Sequence, residues 1–217
     1  MAAISDFFPY VLPSVPGCSI PVATQALVRA ARMFCQYTDA VQFTTDPADI
    51  KKGVATYDLD IPAQTEVQSF RDFWMGKRPL DIKDQYGVAT PFALVDLVAG
   101  EKAPQNDPVQ VYIRPPLTVT LYPTPKADLA KGLTARVALR PALTADTFPD
   151  ALANDWLEAV SNGAIYLLAK MPSQPFTNPA VAADAQGIFY QQMGLAKLET
   201  WRGKGMAEQT VSMRPLA

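Results

Sequence analysis

The sequence predicts an α+β protein, with helices towards both ends of the chain and a β-rich middle. Apolar residues recur at helical spacing in residues 20–38 and again over the C-terminal third. The region between them consists of short alternating segments bounded by prolines and glycines, which is typical of strands. We therefore expect a helical core, formed by the N-terminal helix and a C-terminal antiparallel helical hairpin, with an antiparallel β-rich middle and extended terminal arms.

The length of the chain predicts one domain. A chain of 217 residues suits one compact domain and can bury a substantial core. We place this domain at residues 1–205, with a helix at 20–38, a β-rich region at 53–140 and the helical hairpin at 148–203. Residues 206–217 show no periodicity, and we predict that they form a short polar tail beyond this domain.

Residues 1–19 are predicted to be an extended apolar arm. Three prolines interrupt any helical or strand period in this span. Exposed apolar surface is costly for a monomer, so the arm should pack on the body or on a neighbouring subunit. We select Phe7, Phe8 and Tyr10 as candidate partner-binding residues, because large apolar anchors contribute much of the free energy of an interface.

The first helix should begin after Ser19, which can cap it, and Pro21 suits its first turn. The β-rich middle that follows is interrupted by a longer excursion at 84–108. This excursion is either a functional loop or a hairpin with a ragged tip, and it contributes Phe92 to the candidate partner-binding residues. The predicted strands lie at 54–61, 66–75, 109–113, 117–122 and 133–140.

The C-terminal third predicts two helices joined by a short, proline-bearing link. Asp146 or Thr147 can cap the first helix, which Pro172 ends, and Asn178 starts the second. The short link favours antiparallel pairing, and Gly163 would allow the backbones to approach closely. The candidate partner-binding residues in the tail that follows are Met206, Val211, Met213, Arg214 and Leu216.

The composition argues against an enzyme and against a protein devoted to gripping DNA. The chain has no histidine, which excludes Ser-His-Asp and Cys-His catalysis in their usual form and most catalytic zinc sites. We expect no cofactor and no metal. The net charge is −2, so any nucleic acid contact should be loose, steric or confined to a patch.

The two cysteines are predicted to be reduced. Cys35 lies well inside the first predicted helix and Cys18 lies just before its start. The helix separates them by about 20 Å, whereas a disulfide needs Cα atoms within about 7 Å. Free thiols suit assembly in a cytoplasm.

Two alternatives to an assembly role remain open at this stage. Asp58 and Asp60 share one face of a predicted strand and could carry carboxylate catalysis or hold a hard cation. Phe70, Phe73 and Trp74 could form an aromatic patch on the sheet that binds a carbohydrate, another ligand or nucleic acid bases. Solvated acidic residues and core aromatics explain both features more simply.

Charge is unevenly distributed along the C-terminal half. Residues 141–190 hold five acidic residues and one basic residue, whereas residues 191–217 hold four basic and two acidic residues. Opposite charges of this kind could set the orientation of neighbours in a ring. A solvated face with helix ends matched to the helix dipole explains the pattern equally well.

Several short motifs follow one another in a fixed order along most of the chain. They lie at 12–18, 34–38, 121–125, 137–141 and 175–179. In this order the sequence resembles the head-to-tail connector (adaptor) proteins of tailed bacteriophages. The order of the motifs carries the resemblance, because each motif alone is short.

The resemblance implies a structural subunit of the virion neck. Such a subunit would form a closed ring, commonly dodecameric, that joins the portal at the capsid vertex to tail or tail-tube proteins. Double-stranded genome DNA would pass through the lumen without sequence-specific binding, no membrane would be involved, and residues 206–217 would be an extended arm that docks on the portal. The alternatives are another neck or tail-completion (stopper) subunit and a monomeric ligand- or carbohydrate-binding module.

Overall fold

The computed structural model describes residues 1–84, 105–114 and 117–202. Within them, helices and a curled β-sheet share one hydrophobic core, which confirms the α+β class. The predictions for Phe92 and for the tail residues Met206, Val211, Met213, Arg214 and Leu216 lie outside the described residues. The same holds for most of the excursion at 84–108 and for the docking arm.

The extended conformation predicted for residues 1–19 is wrong. The segment contains strand β1 (Ala2–Ala3), a 3-10 turn (Ile4–Phe7), helix α1 (Phe8–Val11) and a second 3-10 turn (Leu12–Ser14). Two of the prolines occupy first-turn positions, where a missing N–H costs nothing, so they restart short helices rather than prevent them. The apolar residues at positions 4, 7, 11 and 15 follow helical spacing and are buried in the chain's own core.

The helix predicted at 20–38 is present as α2 (Ile20–Thr38). Ser19 takes the N-cap position, but its side chain makes no capping hydrogen bond, contrary to the sequence prediction. Asp39 ends the helix in the left-handed conformation, with φ of 50°, and its amide N–H donates to the Cys35 carbonyl oxygen.

Eight described strands form one sheet in the order β2-β11-β5-β6-β8-β9-β4, and β3 also pairs with β11. β11 is the longest and packs against α2, so it connects the sheet to the helices. The strands are β2 (Gln42–Thr44), β3 (Ala48–Ile50), β4 (Thr56–Asp58), β5 (Thr65–Met75), β6 (Arg78–Asp84), β8 (Gln110–Arg114), β9 (Thr118–Tyr122) and β11 (Leu129–Pro141).

The prediction of an antiparallel sheet is only partly correct. Most strand pairs are antiparallel, but β6 and β8 run parallel. A second parallel pair joins the two-residue strands β7 (Gln105–Asn106) and β10 (Thr124–Pro125). Residues 85–109 lie between β6 and β8, and a connection of that length permits the crossover that parallel strands need. The remaining short strand, β12 (Thr147–Phe148), pairs with β1.

The first C-terminal helix is shorter than predicted. A single helix was expected from Pro149 to Pro172, but the chain forms α3 (Asp150–Asn154) and α4 (Leu157–Ala169) with a break at Trp156. Trp156 has φ of −129° and ψ of 22°, and its ring lies 5.4 Å from that of Phe34. Burial of this ring against α2 outweighs continuation of the helix.

The last described helix, α5 (Pro179–Arg202), packs with α4, and α4 also packs on α2. Gly163 of α4 makes this close approach possible. A Cβ atom at this position would lie 2.8 Å from Phe189 Cε2 and 3.0 Å from Ala30 Cβ. The close approach inferred for Gly163 from the sequence is therefore confirmed.

Candidate assembly surface

Helix α5 is apolar on two sides. Its inner side contributes Ala182, Ala185, Phe189, Met193 and Ala196 to the core. Its other side also carries large apolar residues, among them Trp201, which is 85% exposed. A surface helix of a monomeric protein normally presents charged and polar residues on that side. The helix therefore has one face that none of the described residues covers.

We define the α5 outer face as Gly187, Tyr190, Gly194, Leu198 and Trp201. Successive members are three or four positions apart, so they lie on one side of a helix. No aspartate, glutamate, lysine or arginine occurs from residue 185 to residue 196, which is more than three helical turns. An exposed helix without charges over this length is typical of an interface.

The two glycines of the α5 outer face are not required by any contact with the rest of the described structure. A Cβ atom at Gly187 or Gly194 would meet nothing within 4 Å among the described residues. Glycine in a helix costs about 1 kcal/mol relative to alanine, so these positions lower the stability of the subunit without a compensating contact inside it. Such residues favour the close approach of another backbone from outside.

The apolar surface extends from α5 onto the end of α2. The Lys197 ammonium lies 4.4 Å from the centre of the Tyr37 ring, which is itself exposed. This cation–π contact aligns the ends of the two helices and keeps the one lysine of this region at the margin of the face. The exposed apolar surface thus extends beyond the α5 outer face to Tyr37 at the end of α2.

Of the three N-terminal candidates, only Tyr10 projects from the surface. Phe7 is fully buried and its ring packs edge-on against Phe148 at 5.3 Å, whereas Phe8 is partly buried. Tyr10 is 56% exposed. Phe7 therefore holds the N-terminal segment to its own body, and Tyr10 is available to a neighbour.

Sequence reasoning missed the α5 outer face. No residue of this face was selected as a candidate, although Trp201 is the most exposed large apolar residue described. The signal was present in the charge-free stretch at 185–196 and in two glycines seven residues apart. Periodicity alone could not separate the two sides, since both are apolar.

The residues proposed for carboxylate catalysis lie on open surface. Asp58 and Asp60 are exposed, and Asp58 Oδ1 accepts a 2.9 Å hydrogen bond from Thr118 Oγ1. No group of three or more histidine, cysteine, aspartate or glutamate side chains with the geometry of a metal site occurs among the described residues. The arrangement offers no enclosed site in which a carboxylate would be activated.

The predicted aromatic patch does not form as a surface. Phe73 is fully buried, and the ring of Phe70 stacks on it at 5.9 Å. Trp74 is covered by Arg136, whose guanidinium carbon lies 5.9 Å from the ring centre. These aromatics contribute to the core and to the covering of the sheet, which leaves no exposed platform made of all three for a sugar or a base.

A cluster of three charges joins α2 to the sheet. Glu66 Oε2 accepts hydrogen bonds from Arg32 Nη2 at 3.2 Å and from Arg140 Nε at 3.1 Å. These bonds, the one from Arg32 first, hold the pKa of the Glu66 carboxyl below its ordinary value. Arg32 also donates to the Pro141 carbonyl oxygen at 2.6 Å, so one side chain fixes the helix to the end of β11.

The thiols differ in their surroundings. Cys35 lies inside α2, and burial raises its pKa to about 12. Cys18 is only partly buried, and burial raises the pKa of its thiol less far. The thiolate is the reactive form of cysteine, so Cys35 acts as a small apolar core residue.

An exposed apolar helix face of this kind is typical of a structural protein that assembles with others. A family model described as "SU10 adaptor protein" matches residues 9–215 of the chain. The chain therefore belongs to the SU10 adaptor protein family, a phage head-to-tail adaptor family, which confirms the resemblance of its sequence motifs. No curated protein matches the chain.

Membership of this family makes the chain a virion component that interacts with other head or tail proteins of a phage. The family is one of structural proteins and is not normally enzymatic. Among the described residues, none of the helices has the length and hydrophobicity to cross a lipid bilayer.

Proposed function

We propose that this protein is a subunit of the phage neck that forms a ring, joins the portal at the capsid vertex to the tail and lets genome DNA pass. The observation that supports this most is the α5 outer face. It is an apolar, glycine-containing helix surface that residues 1–84, 105–114 and 117–202 leave uncovered. A subunit that works alone gains nothing from such a face, whereas a subunit of an assembly buries it.

The α5 outer face is suited to contact between copies. It differs from the surfaces that carry Tyr10 or the sheet, so a neighbour would bind it with another part of its own surface. Contacts between two different surfaces close into a ring when the rotation between copies permits. In such a ring the helical core of α2 and the antiparallel hairpin of α4 and α5 would pack side by side around the axis, with twelve-fold symmetry as the family resemblance implies.

The ends of the chain would complete the contacts. Tyr10 offers an aromatic anchor beside the body, and residues 206–217 would contact a partner beyond the ring. We assign portal binding to residues 206–217 and tail contact to a surface on the opposite side of the ring. The stopper alternative differs in one respect, since a stopper would bind tail proteins and not the portal.

The substitution Gly194→Arg tests the ring. The variant should fold normally, because a Cβ atom at this position meets no described atom within 4 Å. Its long charged side chain should nevertheless prevent a second copy from packing on the α5 outer face. Particle mass and negative-stain images, taken with and without portal, should show rings for the natural chain and monomers for the variant.

The matched control is Gln25→Arg, which adds the same side chain to an exposed position of α2. It should leave ring formation unchanged, and both variants should keep the thermal midpoint of the natural chain within a few degrees. Normal rings from Gly194→Arg would remove the α5 outer face from the assembly. Binding to isolated tail proteins without any binding to the portal would favour the stopper function.

A further inference from the structure

Six basic side chains converge at one end of the sheet. Three backbone segments bring them together: the turn after β3, the β5–β6 turn and the start of β11. Ile50 pairs with Leu129, Met75 pairs with Arg78, and the Gly76 amide N–H donates to the Gly132 carbonyl oxygen at 2.7 Å. We call this surface the sheet tip; its basic residues are Lys51, Lys52, Lys77, Arg78, Lys126 and Lys131, all of them exposed.

Most of these charges have no partner among the described residues. Lys126 forms an ion pair with Asp107 at 2.9 Å, and it is the one member of the six with a described ion pair. Farther along the sheet the arginines are paired: Arg71 with Asp39, Arg136 with Asp72. Most basic side chains of the sheet tip therefore lack a described ion-pair partner, whereas these arginines in the middle of the sheet are paired with carboxylates.

The nearby carboxylates do not neutralise the sheet tip. Asp49 Oδ1 accepts the Lys131 amide N–H at 2.7 Å, and Asp128 Oδ1 accepts the Lys52 amide N–H at 2.6 Å. These two carboxylates are engaged by the backbone, and with Asp107 they leave a net charge of +3 on the six bases. The next carboxylates, Asp46 and Asp81, lie towards the middle of the sheet, beside Thr45 and opposite Gln110.

The described residues of the sheet tip form an open cleft and no enclosed pocket for a small anion. The amide N–H groups that line its open cleft are already bonded: Lys51 to Tyr57 Oη at 3.1 Å, and Gly53 to the Pro125 carbonyl oxygen at 2.9 Å. Binding of an anion there must rest on ammonium groups at the ends of flexible side chains. Such a spread of charge fits an extended polyanion better than a single phosphate or carboxylate.

The residue types favour nucleic acid over an acidic protein. Five of the six bases are lysines, a residue depleted at protein–protein interfaces but common at DNA phosphates. The tip has no exposed aromatic side chain, and Val54 and Leu129, each 40% exposed, are its large apolar residues among those described. Without aromatic anchors, a protein interface would gain little beyond charge attraction.

We propose that the sheet tip binds the phosphate backbone of double-stranded DNA, weakly and without sequence preference. This deepens the proposed function, on which it rests for the presence of DNA near the subunit, but the contact itself needs no ring. A patch of this charge gives an affinity that falls steeply with salt, so DNA would be guided without being held.

Basic and acidic residues lie beyond different ends of strand β11, so the DNA contact would be confined to one end of this strand. β11 has 13 residues and spans about 40 Å at roughly 3.3 Å per residue. The sheet tip lies at its start, whereas the exposed Asp146, Asp150 and Glu158 follow its end. Copies related by rotation about one axis would present all their sheet tips on the same rim, so the ring would have one rim that attracts DNA and one that does not.

The test is the binding of the full-length protein to fluorescein-labelled DNA duplexes of two unrelated sequences, followed by anisotropy across a salt series. We expect equal affinity for both duplexes, with a dissociation constant of roughly 10⁻⁴ to 10⁻⁶ M at physiological salt and tighter binding at low salt. The variant Lys52→Gln/Lys77→Gln/Lys131→Gln should bind DNA at least about tenfold more weakly. The slope of log K against log salt should become less negative by about 2 to 3, because three phosphate contacts are lost.

The matched control, Arg29→Gln/Arg71→Gln/Lys170→Gln, removes the same charge elsewhere and should bind DNA within about twofold of the natural chain. Equal losses in the two triple variants would overturn the proposal, as would a marked preference for one duplex. Tighter binding to labelled polyglutamate than to DNA would replace DNA by an acidic protein as the partner.

Imaging of the same samples separates this proposal from the ring. Rings of the sheet-tip variant that no longer bind DNA support the DNA contact independently of assembly. If the natural chain forms no rings with the portal but its sheet tip still binds DNA, the proposed function fails and the DNA contact stands.

Discussion

The glycines of α4 and of α5 show how differently one residue type serves the two helices. Gly163 lies where α4 meets α2 and α5, and a Cβ atom there would overlap Phe189 and press on Ala30. Gly187 and Gly194 lie on the α5 outer face, where a Cβ atom would meet nothing described. The first glycine is required by the packing of the described helices, whereas no contact within that part of the chain requires the other two.

The largest effect should come from Gly163→Ala. The new methyl group would lie 2.8 Å from an aromatic ring that is itself fully buried, so helices must separate or Phe189 must leave its rotamer. Overpacking of this kind costs about 1 to 3 kcal/mol, more than the roughly 1 kcal/mol that alanine contributes to helix stability. Urea unfolding should show net destabilisation of up to about 2 kcal/mol.

A second substitution sharpens this prediction. Phe189→Leu should lower stability in the natural chain but cost less in the Gly163→Ala background, because the smaller side chain relieves the overlap. Purely additive effects in this double-mutant cycle would show that the close approach of α4 and α5 does not limit residue 163.

An intermediate effect of opposite sign is expected for Gly187→Ala. The substitution is chemically the same, but the space is open, so the gain in helix propensity of about 1 kcal/mol should appear as higher stability of the subunit. Urea unfolding at a concentration where the protein is monomeric measures it. Destabilisation here would show that another part of the same chain packs against the α5 outer face.

The sequence predicted the positions of helices and strands better than it predicted which of their sides are buried. The α+β class, α2 and the main strands follow from periodicity, and the family follows from the order of short motifs. The break at Trp156 and the helical turns before Val15 were missed because burial of large rings against distant elements decided them. The parallel pairing of β6 with β8 is likewise set by tertiary structure, since it joins strands that are distant in the sequence.

The candidate surfaces were harder to predict for the same physical reason. Which side of α5 is buried depends on the packing of Phe189 beside Gly163, and an apolar pattern on both sides does not reveal it. The sheet tip is assembled from segments centred near residues 51, 77 and 131, whose charges are dispersed in the sequence. Only the register of β3, β5, β6 and β11 brings them together.

The smallest expected effect concerns the charge cluster that ties α2 to the sheet, where electrostatics rather than packing holds two elements together. Glu66→Gln removes the negative charge shared by Arg32 and Arg140, and Arg32 is largely buried. Glu66 is partly exposed, so solvent screens the pairs and the loss should be about 1 kcal/mol or less at neutral pH.

The pH dependence follows from the lowered pKa of Glu66 in the folded state. A carboxyl with a depressed folded-state pKa stabilises the fold above its ordinary value of 4.5, and this contribution is lost as the pH falls through the lower folded-state value. The stability difference between the natural chain and Glu66→Gln should therefore be constant near neutral pH and shrink below about pH 4.5.

The control Asp72→Asn, at a more exposed pair with Arg136, should show a smaller difference at neutral pH. If Glu66→Gln costs as much stability as Gly163→Ala, charge and not close packing is what chiefly joins α2 to its neighbours.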